Sequence, residues 1–327
     1  MHEKARRLIA NDGVQLLDSP LWQMEGLVTA VDGRLPVVAR LQTSMRQLAM
    51  IQGDRSTDAL LFSQMEQTFL HRAMHLVPNS RATWKQVQEI YRLPGDAPST
   101  IIPHGIKPVP EEEVPPFAWK EAGEPLTILY VGRLEKRKGV QALFEAIPLV
   151  VQRHPNVRFV LAGEDNSLHD GFRQATGQDY PTYFREKYPD VQAQVSFLGR
   201  VSDEKLTELY GACDVFVAPS LYESFGLIYL EAMNYAKPVI GCQAGGIPEV
   251  VNHGVTGLLV EPDAHRPLAE ALITLVESPQ RRYEMGQAGR ERLLRSFTHL
   301  QMAQGFARVY RAIIHAHQQH QAKEGAL

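Results

Sequence analysis

The chain has 327 residues, of which 44% are hydrophobic, enough for about two domains at the usual size of ~100 to 200 residues each. Its 34 basic and 37 acidic side chains give a formal charge of -3, so it lacks the broad positive field that attracts duplex nucleic acid. We therefore expect no nucleic-acid partner, whereas a peripheral membrane contact stays open.

The cysteine content indicates a reducing compartment. Cys213 and Cys242 are the two cysteines, and each lies in an apolar stretch, so a disulfide framework is not expected. No apolar run approaches the ~18 to 20 residues of a membrane span. The opening segment MHEKARRLIAND lacks the apolar core of a secretory signal. These features predict a cytoplasmic protein.

Residues 1–110 predict a small α/β domain. Four strand signals occur in it, with helices between them, whereas a free-standing doubly wound sheet usually has about five or six strands. We therefore predict an incomplete Rossmann-like domain with an unpaired strand edge, which favours an oligomer or a partner chain that completes it. The four signals are GVQLLDSP, PVVARLQTS, HLVPNS and STIIPHGI.

A second, complete Rossmann-like domain is predicted over residues 126–300. It follows a linker at 111–125, which is rich in proline and acid, and precedes a helix and tail at 301–327. Within it, short β-branched runs alternate with amphipathic helices, the pattern of βαβ units and a mostly parallel sheet. The runs are TILYVGRL, VRFVLAG, VSFLGRV, DVFVAPS, PVIGC and GLLVEP.

Two cations lie where the first strand of this domain should end. Ligands of open α/β sheets bind at the carboxyl ends of the strands, where helix N-termini favour phosphate. Arg133 is the last residue but one of the run TILYVGRL, and Lys138 precedes the next helix. The two can clamp a pyrophosphate and stabilise its charge as it leaves. Lys136 and Arg137 in the same loop are predicted to be solvated.

Two carboxylates and two glycines follow the fourth strand. Glu231 lies eight residues after Glu223, about 12 Å further along a helix predicted over 224–235. Carboxylates accept hydrogen bonds, which matches the hydroxyls at the two ends of a nucleotide sugar. Two solvated acids are the ordinary alternative for such a pair standing alone. Gly245 and Gly246 would let the backbone approach a ligand closely.

These residues sit in motifs that resemble the retaining glycosyltransferases of family 4. The resemblance implies the GT-B fold, in which two Rossmann-like domains face a cleft. It implies a hexosyltransferase-type enzyme that moves a sugar from a nucleotide-diphosphate sugar to an acceptor that the sequence does not identify. A DxD motif is absent, so neither a metal nor another cofactor is expected. The matching motifs are VGRLEKRKG, FLGRVSDEKLTELYGACDVFVAPS, ESFGLIYLE and GGIPEVV with TGLLV.

The resemblance also assigns roles to residues. Arg133 and Lys138 would bind the donor pyrophosphate and Glu223 the donor sugar, which makes these three the candidate catalytic residues. Other residues would hold the sugar, the ribose and the base. They are the backbone of Phe225, Gly226 and Leu227, then Glu231, then Arg200 and Val201, with Gly245 and Gly246 beside them.

The first domain departs from the family at two positions that are candidates for the acceptor side. The family commonly has a histidine after PVVARL, near the reacting sugar, and this chain has Gln42. IIPHGI resembles the IPNGVD turn, with His104 in place of asparagine. An amide hydrogen-bonds a hydroxyl but does not titrate near neutral pH as imidazole does. The family's opening strand and glycine-rich turn have no counterpart before MHEKARRLIAND.

Parts of the sequence are also consistent with other functions. Gln42 and the incomplete first domain favour a non-catalytic or partner-dependent nucleotide-sugar-binding subunit, so activity of this chain alone stays open. A sugar-nucleotide epimerase of similar fold would form product from the donor alone. A nicotinamide-dependent oxidoreductase is not expected, because no GxGxxG motif lies at a strand-to-helix turn.

Overall fold

The computed structural model describes residues 13–121 and 123–324. The segment MHEKARRLIAND, and with it the prediction about a secretory signal, lies outside the described residues. Packing divides the described chain into two units. The first unit comprises residues 13–105 and 299–324, and the second comprises residues 106–298. None of the helices in the described part of the chain is long and apolar enough to cross a membrane.

The first unit contains a three-stranded parallel sheet in the order β1-β2-β3. Leu17 of β1 lies opposite Val37 of β2, and Val38 lies opposite His75 of β3. The strands are β1 (Leu17–Pro20), β2 (Val37–Leu41) and β3 (His75–Pro78). The helices between and after them are α1 (Leu27–Asp32), α2 (Met45–Gln52), α3 (Thr57–Arg72) and α4 (Arg81–Tyr91), with a 3-10 turn at Trp22–Met24.

Serine side chains begin three of these helices. Ser44, Ser56 and Ser80 each accept a hydrogen bond from the backbone N–H three residues later, at the starts of α2, α3 and α4. A capping hydroxyl satisfies one of the helix amides that lack an intrahelical partner.

The fourth predicted strand of this unit is an extended segment that pairs with β3 without forming a regular ladder. Leu76 N donates to Pro98 O at 2.9 Å, and Thr100 N donates to Leu76 O at 3.0 Å. Pro98 and Pro103 border the segment, and proline has no N–H to donate, so the pairing stays short.

The second unit contains a six-stranded parallel sheet in the order β6-β5-β4-β7-β8-β9. Each of the six predicted runs forms a strand. The strands are β4 (Thr127–Val131), β5 (Arg158–Ala162), β6 (Val195–Gly199), β7 (Val215–Val217), β8 (Val239–Cys242) and β9 (Gly257–Val260). The helices are α5 (Val140–Arg153), α6 (Phe172–Thr176), α7 (Tyr180–Lys187), α8 (Asp203–Ala212), α9 (Leu227–Asn234), α10 (Ile247–Val250), α11 (His265–Val276) and α12 (Pro279–Ser296). Three 3-10 helices complete it, at Glu111–Glu113, Lys136–Lys138 and Pro189–Gln194.

Alternate residues of β4 enter two apolar layers, one on each face of this sheet. Ile128 and Tyr130 belong to one buried cluster and Leu129 to the other. Successive side chains of a strand point to opposite faces, so a central strand covered on both sides is apolar throughout. Both cysteines are buried free thiols, and burial raises the pKa of each to about 12.

The strand order determines where a ligand can bind. The chain winds outward from β4 through β5 to β6, then returns and winds the other way from β7 through β8 to β9. Helices on either side of the β4–β7 boundary therefore lie on opposite faces, and a crevice opens at the carboxyl ends of these two strands.

Two further segments pack on the units. Residues 111–121 of the predicted linker lie in the second unit, where Arg290 Nη2 is 2.9 Å from Glu111 Oε2 and Lys120 Nζ is 2.8 Å from Asp214 Oδ2. The last helix, α13 (His299–Glu324), belongs to the first unit. Its Val309 and Ile313 pack against the apolar side chains of Val38, Val77 and Ile102.

Candidate functional site

The loops after β4 and β7 lie side by side where the strand order reverses. Leu221 N donates to Arg137 O at 2.9 Å, which links the two loops. Gly139 has φ +68°, and a Cβ atom there would lie 1.8 Å from Pro219 O. Only glycine tolerates both this backbone conformation and this approach. The two loops therefore form one continuous border of the crevice.

Opposite charges meet across these loops. Lys138 Nζ lies 2.5 Å from Glu223 Oε1, and Arg137 Nη1 lies 3.8 Å from Glu223 Oε2. The side chains of Lys138 and Glu223 are only 15% and 14% exposed. The structure thus brings together a cation and a carboxylate that were selected from separate motifs of the sequence.

Arg133 lies at the same border with a more accessible side chain. The side chain is 54% exposed, and its Nη2 is 3.2 Å from Glu135 Oε1. Burial, and next the charges of Glu135 and Glu223, raise the pKa of Tyr130, so its hydroxyl stays protonated. That hydroxyl donates to Arg133 O at 2.8 Å. The backbone of Arg133 is thereby fixed, while its exposed side chain has room to reorient toward a ligand.

Sequence reasoning missed Glu135 and was wrong about Arg137. Glu135 is 5% exposed and accepts hydrogen bonds from Arg137 Nη2 and Asn166 Nδ2, both at 2.8 Å. Arg137 was predicted to be solvated, yet its side chain is 19% exposed and also donates to Tyr222 O. The 3-10 turn at Lys136–Lys138 turns Arg137 and Lys138 inward and leaves Lys136 exposed. In the sequence, Glu135 is the single acid among the four cations of RLEKRK, and this pattern could have identified it as their partner.

The helix after β7 begins later than predicted. It starts at Leu227 rather than at residue 224, because Gly226 has φ +101° and this left-handed backbone cannot continue a right-handed helix. Glu223 therefore lies in the loop rather than on the helix. Phe225 is buried and anchors this loop, whereas Leu227 is exposed.

Glu231 lies on α9 and is held by a residue that sequence reasoning missed. Tyr210 OH of α8 donates to Glu231 Oε2 at 2.7 Å. Burial, and next the charge of Glu231, raise the pKa of Tyr210 well above its ordinary value. The phenol therefore remains a donor that fixes one carboxylate oxygen.

Gly245 and Gly246 make room for the loop that carries Glu223. A Cβ atom on Gly245 would lie 2.2 Å from Glu223 O, and one on Gly246 would lie 2.4 Å from Ser224 O. Gly246 N also donates to Glu223 O at 2.8 Å. These glycines were expected to admit a ligand, and in the structure they admit protein backbone that positions Glu223.

Two other positions complete this edge of the sheet. Ser220 is buried, and its Oγ has no hydrogen-bond partner among the described residues, so a ligand atom could supply one. Arg200 is exposed and Val201 is half-buried, both directly after β6. Because β6 is parallel to β4 and β7, these two residues lie at the same edge as the charged loops.

The two acceptor-side candidates line one cavity of the first unit. This cavity measures about 580 Å³ and contains both Gln42 and His104. Asn79 Nδ2 lies 3.2 Å from His104 Nε2. Burial, and next the charge of Arg40, lower the pKa of His104, so its ring is neutral near pH 7.

A metal site was not expected from the sequence. Among residues 13–121 and 123–324, no three His, Cys, Asp or Glu side chains come close enough together to hold a metal ion. That the transfer reaction needs no metal is still a prediction from the sequence.

Comparisons with known proteins identify relatives. Residues 112–292 match the family described as Glycosyl transferases group 1. An uncharacterized glycosyltransferase of Methanocaldococcus jannaschii is 30% identical over 239 residues, which are 70% of this chain and 57% of that protein. This chain spans between 54% and 57% of the length of the first curated relatives that it matches.

Solved structures share the fold. Sucrose-phosphate synthase from Thermosynechococcus elongatus matches with a TM-score of 0.77 and 26% identity, over 96% of this chain and 77% of that one. HepE from Anabaena, in complex with UDP-glucose, matches with a TM-score of 0.73 and 20% identity, over 94% of this chain and 81% of that one. The predicted α/β class and the GT-B fold are thereby confirmed.

Proposed function

The chain belongs to the group 1 glycosyl transferases, and on this premise we propose that it moves a sugar from a nucleotide-diphosphate sugar to an acceptor, with retention of configuration. The observation that carries the proposal is the ion pair between Lys138 and Glu223 at the point where the strand order of the second unit reverses. Crevices at such points are where open α/β sheets bind nucleotides.

The charges around this pair suit a diphosphate. Three cations, Arg133, Arg137 and Lys138, face two carboxylates, Glu135 and Glu223, so the cluster carries one surplus positive charge. A bound diphosphate would compete with Glu223 for Lys138 and Arg137. Glu223 would then be free to accept hydrogen bonds from the hydroxyls of the donor sugar.

The remaining donor contacts follow the same edge of the sheet. Glu231, oriented by Tyr210, has a second carboxylate oxygen for the ribose hydroxyls. Arg200 and Val201 would lie against the base. HepE was solved with UDP-glucose, which makes UDP-glucose the first donor to test on this chain.

In the proposed reaction the bond between the anomeric carbon and the β-phosphate oxygen breaks as the sugar passes through an oxocarbenium-like state. The acceptor oxygen forms the new bond on the face that the diphosphate leaves. The departing phosphate takes the proton of the acceptor hydroxyl. Lys138 and Arg133 stabilise the negative charge that develops on the leaving group, which is the main contribution of the protein.

A thermal-shift panel of UDP, GDP and ADP sugars tests donor binding. A ligand that binds only the folded state raises the melting temperature with its concentration. We expect one nucleotide class to raise it at millimolar concentration, and to do so less in Lys138→Ala. Lys136→Ala is the matched control, because Lys136 belongs to the same 3-10 turn but is exposed. Failure of every nucleotide sugar would reject the proposal.

A second candidate is a donor-binding subunit that needs a partner. Within the described residues β1 pairs with β2 alone, and such an edge can accept another strand. The test is light scattering combined with a transfer assay. A dimer or a partner-dependent activity supports this candidate, and a monomer that transfers sugar by itself contradicts it.

A further inference from the structure

The segment that follows β5 lies against the 3-10 turn Lys136–Lys138. This β5–α7 segment comprises residues 163–179 and includes the short helix α6. It begins beside the end of β4, where Leu134 N donates to Glu164 O at 2.9 Å and Asn166 N donates to Leu134 O at 3.0 Å. The end of β4 and the start of the segment are thus joined just before the turn.

Asp170, further along the β5–α7 segment, caps this turn. Its Oδ2 accepts a hydrogen bond from Lys136 N at 2.8 Å. Glu135, at the cap position itself, makes no side-chain hydrogen bond to the turn. The carboxylate that satisfies the first amide of the turn therefore comes from a residue 34 positions away. Because the donor is a backbone N–H, the exposed side chain of Lys136 takes no part in this bond.

Tyr180 anchors Asp170 to the core of the second unit. Tyr180 OH donates to the same Oδ2 at 2.6 Å, and Phe172 N donates to Asp170 Oδ1 at 3.0 Å. The ring of Tyr180 is fully buried and stacks on Phe172, with centroids 3.9 Å apart. Burial, and next the hydrogen bond to Asp170, raise the pKa of Tyr180, so its hydroxyl stays a donor. The carboxylate is therefore held in one position where it meets Lys136.

The position of this turn decides where the ammonium of Lys138 lies. Two backbone hydrogen bonds close the turn itself, from Lys138 N and Gly139 N at 3.0 and 2.9 Å. The hydrogen bonds of 3-10 helices have poorer geometry than those of α-helices, so an external cap matters more to such a turn. Lys138 Nζ must stay beside Glu223 at the border of the crevice. A misplacement of about 1 Å can lower the rate of a reaction about 10²-fold.

We propose that Asp170 is a positioning residue for the transfer reaction. Through Lys136 N it fixes the direction in which Lys138 leaves the turn, and so places the ammonium where charge develops on the leaving diphosphate. Asp170 acts on the diphosphate only through Lys138. The inference rests on the proposed function, since it concerns the place of Lys138 in that reaction.

Hydrogen exchange in the chain without ligand tests the hold on the turn independently of sugar transfer. In Asp170→Ala the amides of Lys138 and Gly139, which close the turn, should exchange about ten-fold faster or more than in the wild type, because the turn opens more often. Unchanged exchange of these two amides would overturn the proposal.

Asp179→Ala is the matched control for this measurement. Asp179 is the last residue of the β5–α7 segment and caps α7, where its side chain accepts from Thr182 N at 2.8 Å. Arg173 is its other side-chain partner. Asp179→Ala should therefore remove a cap close to Asp170 and leave the exchange of Lys138 and Gly139 unchanged. Equally fast exchange of these amides in Asp170→Ala and Asp179→Ala would overturn a specific role for Asp170.

The kinetics of transfer from UDP-glucose test the effect on the reaction. Asp170→Ala should lower kcat about ten-fold or more and change the KM for the donor less than about three-fold, because the misplaced cation matters most when charge develops. Asp170→Asn should retain most of the wild-type kcat, since its amide oxygen still accepts from Lys136 N. A rise in KM with an unchanged kcat, or an equal loss of kcat in Asp170→Asn and Asp170→Ala, would contradict the proposal.

A double variant separates this inference from the proposed function. In Lys138→Ala the group that Asp170 positions is gone, so adding Asp170→Ala should lower kcat little further. An equal loss with and without Lys138 would overturn the positioning role. Normal turnover in Asp170→Ala beside impaired turnover in Lys138→Ala would overturn it too and leave the proposed function intact. Normal turnover in Lys138→Ala itself would overturn both.

Discussion

Lys138 Nζ and Glu223 Oε1 lie 2.5 Å apart, although 85 positions separate the two residues in the sequence. The parallel sheet explains their contact, because β4 and β7 are adjacent and their carboxyl ends meet at the same edge. The pair is mostly buried, so its mutual attraction is screened less than that of a surface pair. It defines the centre of the proposed donor site.

Gly139 is expected to control the spacing of the two loops. Gly139→Ala should destabilise the protein by about 2–4 kcal/mol, because it combines a left-handed backbone with a clash against Pro219. Gly177→Ala is the matched control. Gly177 has φ +79°, and a Cβ atom there would meet none of the described residues within 4 Å, so the change should cost about 1 kcal/mol. Urea unfolding measures the stability of both variants. Equal losses of stability in Gly139→Ala and Gly177→Ala would contradict the proposal that Gly139 controls the spacing of the loops.

Glu135 should be structural as well as electrostatic. Glu135→Leu removes the acceptor of Arg133, Arg137 and Asn166 and should destabilise by about 1–3 kcal/mol, because polar groups near the crevice lose their partner. Glu208→Gln, at an exposed surface acid, should stay within about 0.5 kcal/mol of the wild type. Chemical denaturation measures both. If the Glu135→Leu protein is as stable as the control, the proposed structural role of Glu135 is contradicted.

Tyr210 is expected to position Glu231 for the donor ribose. Tyr210→Phe deletes one hydroxyl that donates to a carboxylate, a bond of about 1.5–3 kcal/mol, so the KM for the donor should rise about ten-fold or more while kcat changes little. Tyr235→Phe is a useful control, since that ring stacks on Tyr210. An unchanged KM in Tyr210→Phe, or an equal rise in both variants, would count against ribose recognition by Glu231.

The stability of the first unit should fall in mild acid. The pKa of His104 is lowered from its ordinary value of 6.5, chiefly by burial and further by Arg40, with Asp18 also in the cavity. The unfolded chain therefore binds a proton more readily than the folded one. Stability is fully present above pH 6.5 and is lost as the pH falls below it toward the folded value.

The measurement is the free energy of unfolding between pH 7.5 and about pH 5, compared for wild type and His104→Gln. His75, whose pKa is also lowered by burial, contributes to the same trend. The variant should therefore show a smaller loss, and His104→Gln with His75→Gln a smaller one still. Identical pH profiles for wild type and His104→Gln would show that the imidazole stays uncoupled from folding.

The sequence was sufficient for features that depend on local patterns. β-branched runs predicted the six strands of the second unit, and strand ends predicted where Arg133, Lys138 and Glu223 would lie. It was insufficient where a contact depends on three-dimensional packing. The inward turn of Arg137 depends on one 3-10 turn, and the hydroxyl that orients Glu231 comes from a neighbouring helix.

Contacts between distant parts of the chain were also beyond the sequence patterns. Tyr310 and Asp18 lie 292 positions apart and meet because α13 packs on the first sheet. Periodicity identified a helix at the end of the chain but carried no information on where it packs. The cavity that holds Gln42 and His104 was therefore not predicted, although both residues were singled out.

The central claim is that Lys138 stabilises the charge on a departing diphosphate. The most direct measurement is the turnover rate for sugar transfer from UDP-glucose in wild type, Lys138→Ala and Lys136→Ala. We predict a loss on the order of 10²-fold or more for Lys138→Ala and near-normal turnover for Lys136→Ala. Near-normal turnover in Lys138→Ala would contradict the claim.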